Sequence, residues 1–172
     1  MSVPVSPVVS LPPVPPLPQL AVGLGCDRGT PLATLQQVLH EALAQVGAEP
    51  GDVAVAASIT LKADEPALLA LAAQHGWTMV FYTPEQLAAV PVPNPSETVR
   101  RFTGTPSVSE AAALLAASAP GPALCATALL LEKHKLRGPD GKNATVSLAR
   151  MALPASPCIF SPGSSPCSTT TT

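Results

Sequence analysis

A few residues in this chain are of types that could do chemistry at a shared edge. Lys62 and Glu65 follow directly after the apolar run 53–59. A lysine and a carboxylate that emerge together from a buried strand can hold an anionic ligand or transfer protons. The alternative is a solvated lysine beside a glutamate that only caps the next helix. The residues by themselves favour neither interpretation.

The segment Gly23-Leu24-Gly25-Cys26 is a second candidate. Its glycines could begin a dinucleotide-binding loop, but the next glycine, Gly29, comes one place later than that motif requires. They instead indicate a close approach of the backbone, either to a ligand or to a neighbouring strand. A helix N-terminus beside Cys26 could lower the pKa of its thiol. No histidine is near it in sequence, so a small, partly buried thiol is favoured over a nucleophile.

A local basic cluster is the third candidate. Lys133, Lys135, Arg137 and Lys142 lie close together in sequence, with His134 among them. A run of charges of this kind is most often a solvated face of the protein. The alternative is a clamp for the carboxylates of a ligand.

Composition excludes several classes of function. The formal net charge is −2 and aromatic residues make up 3% of the chain, whereas a nucleic-acid-binding protein has a basic stripe or stacking aromatics. No stretch approaches the roughly 20 apolar residues of a membrane span, and the N-terminus does not resemble a signal peptide. We therefore expect a cytoplasmic protein that binds neither nucleic acid nor membrane. The four cysteines form no CxxC motif or Cys/His cluster, so neither a structural zinc site nor a disulfide framework is expected. We also expect no metal and no cofactor.

Charge and proline divide the chain into three parts. All Lys, Arg, Asp and Glu residues lie between Asp27 and Arg150, and the two ends hold half of the 22 prolines. Proline fixes φ and removes backbone donors, which disfavours regular structure. We predict a Pro-rich tail over 1–19, one α/β domain over 20–151, and a Ser/Thr/Pro-rich tail over 152–172.

The elements that position the candidate residues follow from apolar periodicity and capping signals. Buried strands are predicted at 20–25, 53–59 and 78–82, each followed by a helix that begins near a proline, at 31–46, 66–74 and 84–87. A polar helical turn is predicted at 96–102. Ser107 and Glu110 are spaced as a capping box for a helix that ends at Ser118. Two strands, 123–131 and 144–151, are expected to be joined through the basic cluster and the turn 138–141.

This order predicts a single, three-layer-like α/β domain with a mainly parallel sheet and a C-terminal antiparallel hairpin at its edge. In such a sheet the carboxyl ends of the parallel strands form the ligand crevice. The loops 23–29, 60–65 and 83–85 should meet there. The crevice is therefore expected to bring the first two candidate groups together.

Taken in order, the motifs resemble one known family. They are Gly23-Leu24-Gly25-Cys26, Ala57-Ser58-Ile59 with Lys62-Ala63-Asp64-Glu65, Phe81-Tyr82 before Leu87, Pro95-Ser96-Glu97-x-Val99, Gly104-x-Pro106-Ser107-Val108-Ser109-Glu110-Ala111-Ala112, and Glu132-Lys133-His134-Lys135 before Ala144-Thr145-Val146. The family is CobE of cobalamin (vitamin B12) biosynthesis, which is equivalent to the C-terminal domain of CbiG. The resemblance covers the predicted domain and neither tail.

The resemblance implies a protein that binds or acts on a precorrin (corrin-ring) intermediate, in the manner of CobE in the aerobic pathway. CbiG-type proteins hydrolyse a ring lactone of a cobalt-precorrin and release acetaldehyde. In that reaction Glu65 would act as the base and Lys62 would steady the oxyanion. A third possibility is a non-catalytic scaffold for other enzymes of the pathway.

Precorrins are flat and carry acetate and propionate arms, so their receptor should have an apolar shelf rimmed by cations and backbone N–H groups. The residues expected to contact the ligand are Gly23, Gly25, Cys26, Arg28, Lys62, Glu65, Lys133 and Lys135.

Overall fold

The computed structural model describes residues 19–119, 121 and 123–152. The predicted tails, 1–19 and 152–172, lie outside these residues except for Gln19 and Ala152. Within the part of the chain that is described, no helix is long and apolar enough to cross a membrane.

The first half of the domain alternates strands and helices in the predicted order. Its elements are β1 (Leu20–Cys26), α1 (Leu32–Val46), β2 (Val53–Ile59), α2 (Pro66–His75), β3 (Thr78–Tyr82) and α3 (Pro84–Ala88). Helix α1 ends at Gly47, whose φ of 67° is the left-handed conformation that glycine adopts readily. A single 3-10 turn, Thr60–Lys62, carries the chain from β2 toward α2.

The second half contains α4 (Glu97–Thr103), α5 (Val108–Ser118), β4 (Leu129–Arg137) and β5 (Asn143–Arg150). The strand predicted at 123–131 was placed too early, because the observed β4 begins at Leu129 and includes the basic residues that were predicted to lie in the connection. Charged residues interrupt the alternation of apolar side chains by which this strand could be recognised in the sequence. Its backbone pairing with β5 decides its position instead.

The five strands form one sheet in the order β3-β2-β1-β5-β4. Strands β1, β2 and β3 are parallel to one another, while β5 is antiparallel to both β1 and β4. This confirms the α/β fold with an antiparallel C-terminal hairpin, in which β5 lies inside the sheet and β4 forms its edge.

Helices cover both faces of the sheet. Val22 and Leu24 of β1 join the core that contains α1 and α2, whereas Ala21 joins the core that contains α5. This alternation follows from the two-residue period of a strand. The result is a three-layer arrangement in which α5 lies directly over β1.

Gly23 allows α5 to pack this closely. A Cβ atom at Gly23 would lie 1.8 Å from the carbonyl oxygen of Ser109 and 2.7 Å from the backbone nitrogen of Ala113. The close neighbour of this glycine is therefore a helix, and neither a ligand nor a strand.

The capping box predicted for α5 does not form. The Ser107 side chain makes no capping hydrogen bond, and Glu110 Oε1 instead accepts from Asn94 Nδ2 at 2.8 Å. Both Ser107 and Glu110 are fully buried. The prediction was wrong because a contact from outside the helix draws the Glu110 carboxylate away from the helix end.

Candidate functional site

A cleft of about 740 Å³ opens at the carboxyl ends of β1 and β2. Its other walls come from α4, the first turn of α5 and the β4–β5 hairpin. Ile59, Val99 and Val108 give it an apolar lining. We call this space the cleft.

Three lysines line the cleft. Lys62 follows β2, while Lys133 and Lys135 lie on β4 at the other end of the sheet order. Among the described residues none of them forms a salt bridge with a carboxylate. We call these three residues the lysine rim. Ammonium groups without acidic partners beside an apolar wall are suited to the carboxylates of a ligand.

A bulge in β4 aims two of these lysines at the cleft. Between Leu131 and His134 the pairing advances three residues on β4 but only two on β5, from Leu148 to Val146. An extra residue of this kind changes the face to which the following side chains point. His134 then faces α1, where its Nε2 lies 2.7 Å from Glu41 Oε2. Its sequence neighbours Lys133 and Lys135 face the cleft.

The contact between Glu41 and His134 joins β4 to α1 on the face opposite the lysine rim. The hydrogen bond from His134 is the largest of the causes that lower the pKa of the Glu41 carboxyl below its usual value. This pair helps to hold the face of β4 that presents the lysines.

Arg28 also lines the cleft, but its guanidinium already has protein partners. Its Nη1 donates to both carboxylate oxygens of Asp64, at 3.0 and 3.1 Å, and its Nη2 donates to the carbonyl oxygen of Leu61 at 2.8 Å. The hydrogen bond from Arg28 lowers the pKa of the Asp64 carboxyl. Arg28 therefore ties the loop after β1 to the turn after β2, and it remains a predicted ligand contact.

Glu65 lies behind the cleft, not in its lining. It occupies the N-cap position of α2 without a capping side-chain bond, and its Oε1 accepts from the backbone N–H of Gly29 at 2.9 Å. The residue is 2% exposed. Lys62 and Glu65 are thus three residues apart in sequence but differ in position, since only Lys62 lines the cleft.

Only the C-terminal end of the segment Gly23-Leu24-Gly25-Cys26 lines the cleft. Gly25 and Cys26 line it, whereas Gly23 lies beneath α5. Burial raises the pKa of the Cys26 thiol to about 11, although the charge of Lys62 acts in the opposite direction. The thiol is therefore protonated at neutral pH, which agrees with its interpretation as a small, partly buried side chain.

Helix α4 supplies cleft residues that sequence reasoning had not assigned. The cleft is lined by Thr98, Val99, Phe102 and Thr103 of this helix and by its N-cap residue, Ser96. The motif Pro95-Ser96-Glu97-x-Val99 was part of the family resemblance, and Phe102 is one of three phenylalanines in the chain. These two signals could have pointed to α4, but the contact of α4 with the cleft depends on tertiary structure.

In chemical terms the cleft can hold a ligand with an apolar body and anionic groups at its edge. Among the described residues there is no cluster of three or more His, Cys, Asp or Glu side chains that could hold a metal ion.

A five-stranded mixed sheet with an apolar cleft and a lysine rim at the carboxyl ends of its parallel strands defines a small α/β domain with a candidate ligand site. The chain belongs to the family described as cobalamin synthesis G C-terminus, whose model matches residues 20–149. The resemblance noted from the ordered motifs is thus confirmed, and the chain is a member of a cobalamin biosynthesis family.

The relatives that match this chain include a hydrolase and protein CobE. The chain is 41% identical over 96 residues to a cobalt-precorrin-5A hydrolase of Priestia megaterium, which covers 56% of this chain and 26% of that protein. It is also 41% identical over 100 residues to protein CobE of Sinorhizobium sp, which covers 57% of this chain and 65% of CobE. The chain therefore spans about a quarter of the hydrolase and slightly less than two thirds of CobE.

Solved structures agree with this assignment. The crystal structure of CobE, a protein from the cobalamin biosynthetic pathway, matches with a TM-score of 0.62 and 31% identity, over 84% of this chain and 96% of that one. The cobalamin biosynthesis protein chiG from Agrobacterium tumefaciens str. C58 matches with a TM-score of 0.53 and 28% identity, over 77% of this chain and 98% of that one.

Proposed function

We propose that the cleft binds a corrin-ring intermediate of cobalamin biosynthesis. The observation that carries this proposal is the lysine rim, because Lys62 and the pair Lys133 and Lys135 come from distant parts of the sequence and line the same apolar cleft. Charges brought together in this way, without acidic partners among the described residues, point to an anionic ligand.

The ligand's chemistry matches the lining. Precorrins combine a flat ring with carboxylate arms, and the cleft combines apolar side chains such as Ile59 and Val108 with the three ammonium groups. Its volume of about 740 Å³ falls within the range of roughly 300–1,000 Å³ for small-molecule sites. Lys62 and Lys133 are half-buried, so their attraction for a carboxylate is stronger than it would be in bulk water.

The similarity to CobE structures supports a role like that of CobE, which we place in the aerobic pathway. In this role the domain holds an intermediate, and it delivers that intermediate to other enzymes of the pathway.

A spectroscopic titration tests the binding proposal. Cobyrinic acid is a stable corrin whose arms end in carboxylates, and cobinamide has the same ring with amidated arms. We expect a saturable absorbance shift with cobyrinic acid and much weaker binding of cobinamide. Lys62→Ala and Lys135→Ala should each weaken the binding of cobyrinic acid about tenfold, as expected for a lost charge-assisted contact.

Arg150→Ala is the matched control, because it removes an exposed cation at the other end of β5, outside the cleft. It should leave the dissociation constant unchanged. A wild-type protein that gives no saturable shift with either corrin would overturn the proposal.

The second candidate is lactone hydrolysis of the kind that the Priestia megaterium relative's name describes, and it is favoured by 41% identity over 96 residues. In this reading Lys62 steadies the oxyanion and Glu65 is the base. The position of Glu65 behind the cleft, with its carboxylate on Gly29 N–H, requires that carboxylate to act through water or after a loop movement.

The test of this reaction is the release of acetaldehyde from cobalt-precorrin-5A. Turnover that is lost in both Glu65→Gln and Lys62→Ala would establish the hydrolase. Binding of a corrin without release of acetaldehyde would support the carrier role. Neither binding nor release of acetaldehyde would favour a scaffold for other pathway enzymes.

A further inference from the structure

Phe102 is the most exposed of the large apolar side chains in the described part of the chain. It is 81% exposed and lines the cleft from helix α4. Leu61 lines the same cleft from the turn after β2 and is 46% exposed. Water-exposed apolar side chains at the mouth of a cleft indicate a surface that a ligand covers.

Helix α4 is built so that Phe102 stays accessible. None of its residues is fully buried, and Val99 is the side chain through which α4 packs against the core. The neighbouring residues Arg100 and Arg101 are exposed as well, and the high exposure of Phe102 itself shows that its ring is left largely uncovered.

The two ends of α4 are nevertheless fixed. The backbone N–H of Ser96 donates to the carbonyl oxygen of Pro106 at 2.8 Å, which closes the segment at its base. Just before it, Asn94 Nδ2 donates to Glu110 at 2.8 Å and to Glu132 at 2.9 Å, which ties the segment to α5 and β4. The helix that carries Phe102 is therefore anchored beside the cleft, and Phe102 is not part of a free loop.

We propose that Phe102 contacts the face of the ligand's ring and that it selects for a flat, conjugated ligand. This inference rests on the proposed function, and it divides recognition between two sets of residues. The lysine rim binds the carboxylate arms, while Phe102 packs against the ring in the offset geometry that aromatic surfaces favour. Flat ligands stack well on an aromatic side chain, whereas a non-planar anion of equal charge gains nothing from it.

The same pair of corrins separates these two contributions. Phe102→Ala should weaken the binding of cobyrinic acid and cobinamide by a similar factor of about ten, because the ring is common to both. Lys62→Ala should weaken cobyrinic acid far more than cobinamide. Phe102→Tyr keeps an aromatic face and should bind within about twofold of wild type.

Leu69→Ala is the matched control, since Leu69 is 43% exposed on α2 and does not line the cleft. It should bind like wild type, and circular dichroism should show that every variant is folded. As a second readout, a tryptophan placed by Phe102→Trp should lose fluorescence as either corrin saturates the protein, well beyond any change at Trp77.

The outcomes distinguish the two proposals. Saturable wild-type binding with an unchanged dissociation constant in Phe102→Ala would overturn the role of Phe102 and leave the proposed function standing. The absence of wild-type binding to both corrins would overturn the proposed function and this inference with it.

Discussion

At Cys26, burial outweighs a neighbouring positive charge. Desolvation of the thiolate raises the pKa to about 11 from 9.0, and Lys62 only partly opposes this effect. Cys125 has the opposite environment, because it is exposed and hydrogen bonds from the backbone and side chain of Thr127 lower its pKa. The pKa values of these two thiols are therefore set by burial and hydrogen bonding, and Cys125, whose pKa is lowered, is the one that immediately precedes a 3-10 turn, Ala126–Ala128.

We predict that Cys125 reacts with iodoacetamide much faster than Cys26 at pH 7.5. At that pH a thiol of pKa about 11 has roughly one hundredth of the thiolate of one with pKa 9.0. The rate at Cys26 should rise as the pH is increased toward 11. Peptide-resolved mass spectrometry measures both rates in one sample, and equal labelling at pH 7.5 would contradict the burial argument.

The contrast between Glu65 and Asp64 shows why neighbouring acids should differ in their effect on stability. Glu65→Ala removes a nearly buried side chain and its partly buried hydrogen bond with the Gly29 N–H, which should cost about 1–3 kcal/mol. Asp64→Ala removes only an exposed ion pair with Arg28 and should change the stability much less than Glu65→Ala does. Urea denaturation measures the difference. A Glu65→Ala protein as stable as wild type would show that this contact is unimportant.

At the scale of elements, the packing of α5 on β1 depends on a missing side chain. A Cβ at Gly23 would overlap backbone atoms of α5, and backbone cannot rotate away as a flexible side chain can. Gly23→Ala therefore has to push α5, and with it the cleft wall formed by Val108 and Ser109, away from the sheet.

We predict that Gly23→Ala lowers the free energy of unfolding by about 1–3 kcal/mol, the usual cost of overpacking. Gly51→Ala is the control, because a Cβ there meets nothing within 4 Å and should change stability by less than about 0.5 kcal/mol. Chemical denaturation of both variants measures the two changes in the free energy of unfolding. Equal stabilities would mean that α5 moves without cost.

The strands also show where sequence patterns predict the structure correctly and where they do not. Strands β1, β2 and β3 are apolar runs bounded by glycine and proline signals, so their local pattern and their tertiary environment agree. Strand β4 is different because His134 faces α1 while its charged neighbours face the cleft. Leu131 and Leu136 pack against the core on the α1 side, but the bulge between them breaks the two-residue alternation that predicts a strand, and this bulge depends on pairing with β5.

The candidate site was predictable to a similar extent. Lys62 could be placed at the crevice from topology, since it follows directly after a parallel strand. The position of Glu65 behind that crevice follows from its hydrogen bond to Gly29, a contact between distant loops that no local pattern encodes. The same is true of Phe102, whose exposure over the cleft depends on how α4 is anchored.

At the scale of the whole molecule, the lysine rim is a local feature on a chain of the opposite sign. The formal net charge is −2, so the overall field does not attract an anionic ligand. Under the proposed function, the attraction of the ligand comes from the three lysines at short range. This distinguishes the cleft from a generally basic surface, on which any polyanion would bind.

The affinity for a carboxylate-bearing corrin should therefore decrease as the salt concentration rises, and this decrease should depend on the lysine rim. Raising the ionic strength from about 0.01 M to 0.1 M shortens the Debye length from about 30 Å to about 10 Å. We expect the affinity for cobyrinic acid to fall several-fold over this range. The affinity for cobinamide should stay nearly constant, because its amidated arms do not pair with Lys62, Lys133 or Lys135.

Removing the rim charges one at a time makes the test specific. Each of Lys62→Ala, Lys133→Ala and Lys135→Ala should reduce the slope of log affinity against log salt, whereas Arg150→Ala should leave it as in wild type. Isothermal titration calorimetry at several salt concentrations gives these slopes directly. A slope that Arg150→Ala reduces as much as the rim variants do would mean that the whole surface, and not the cleft, attracts the ligand.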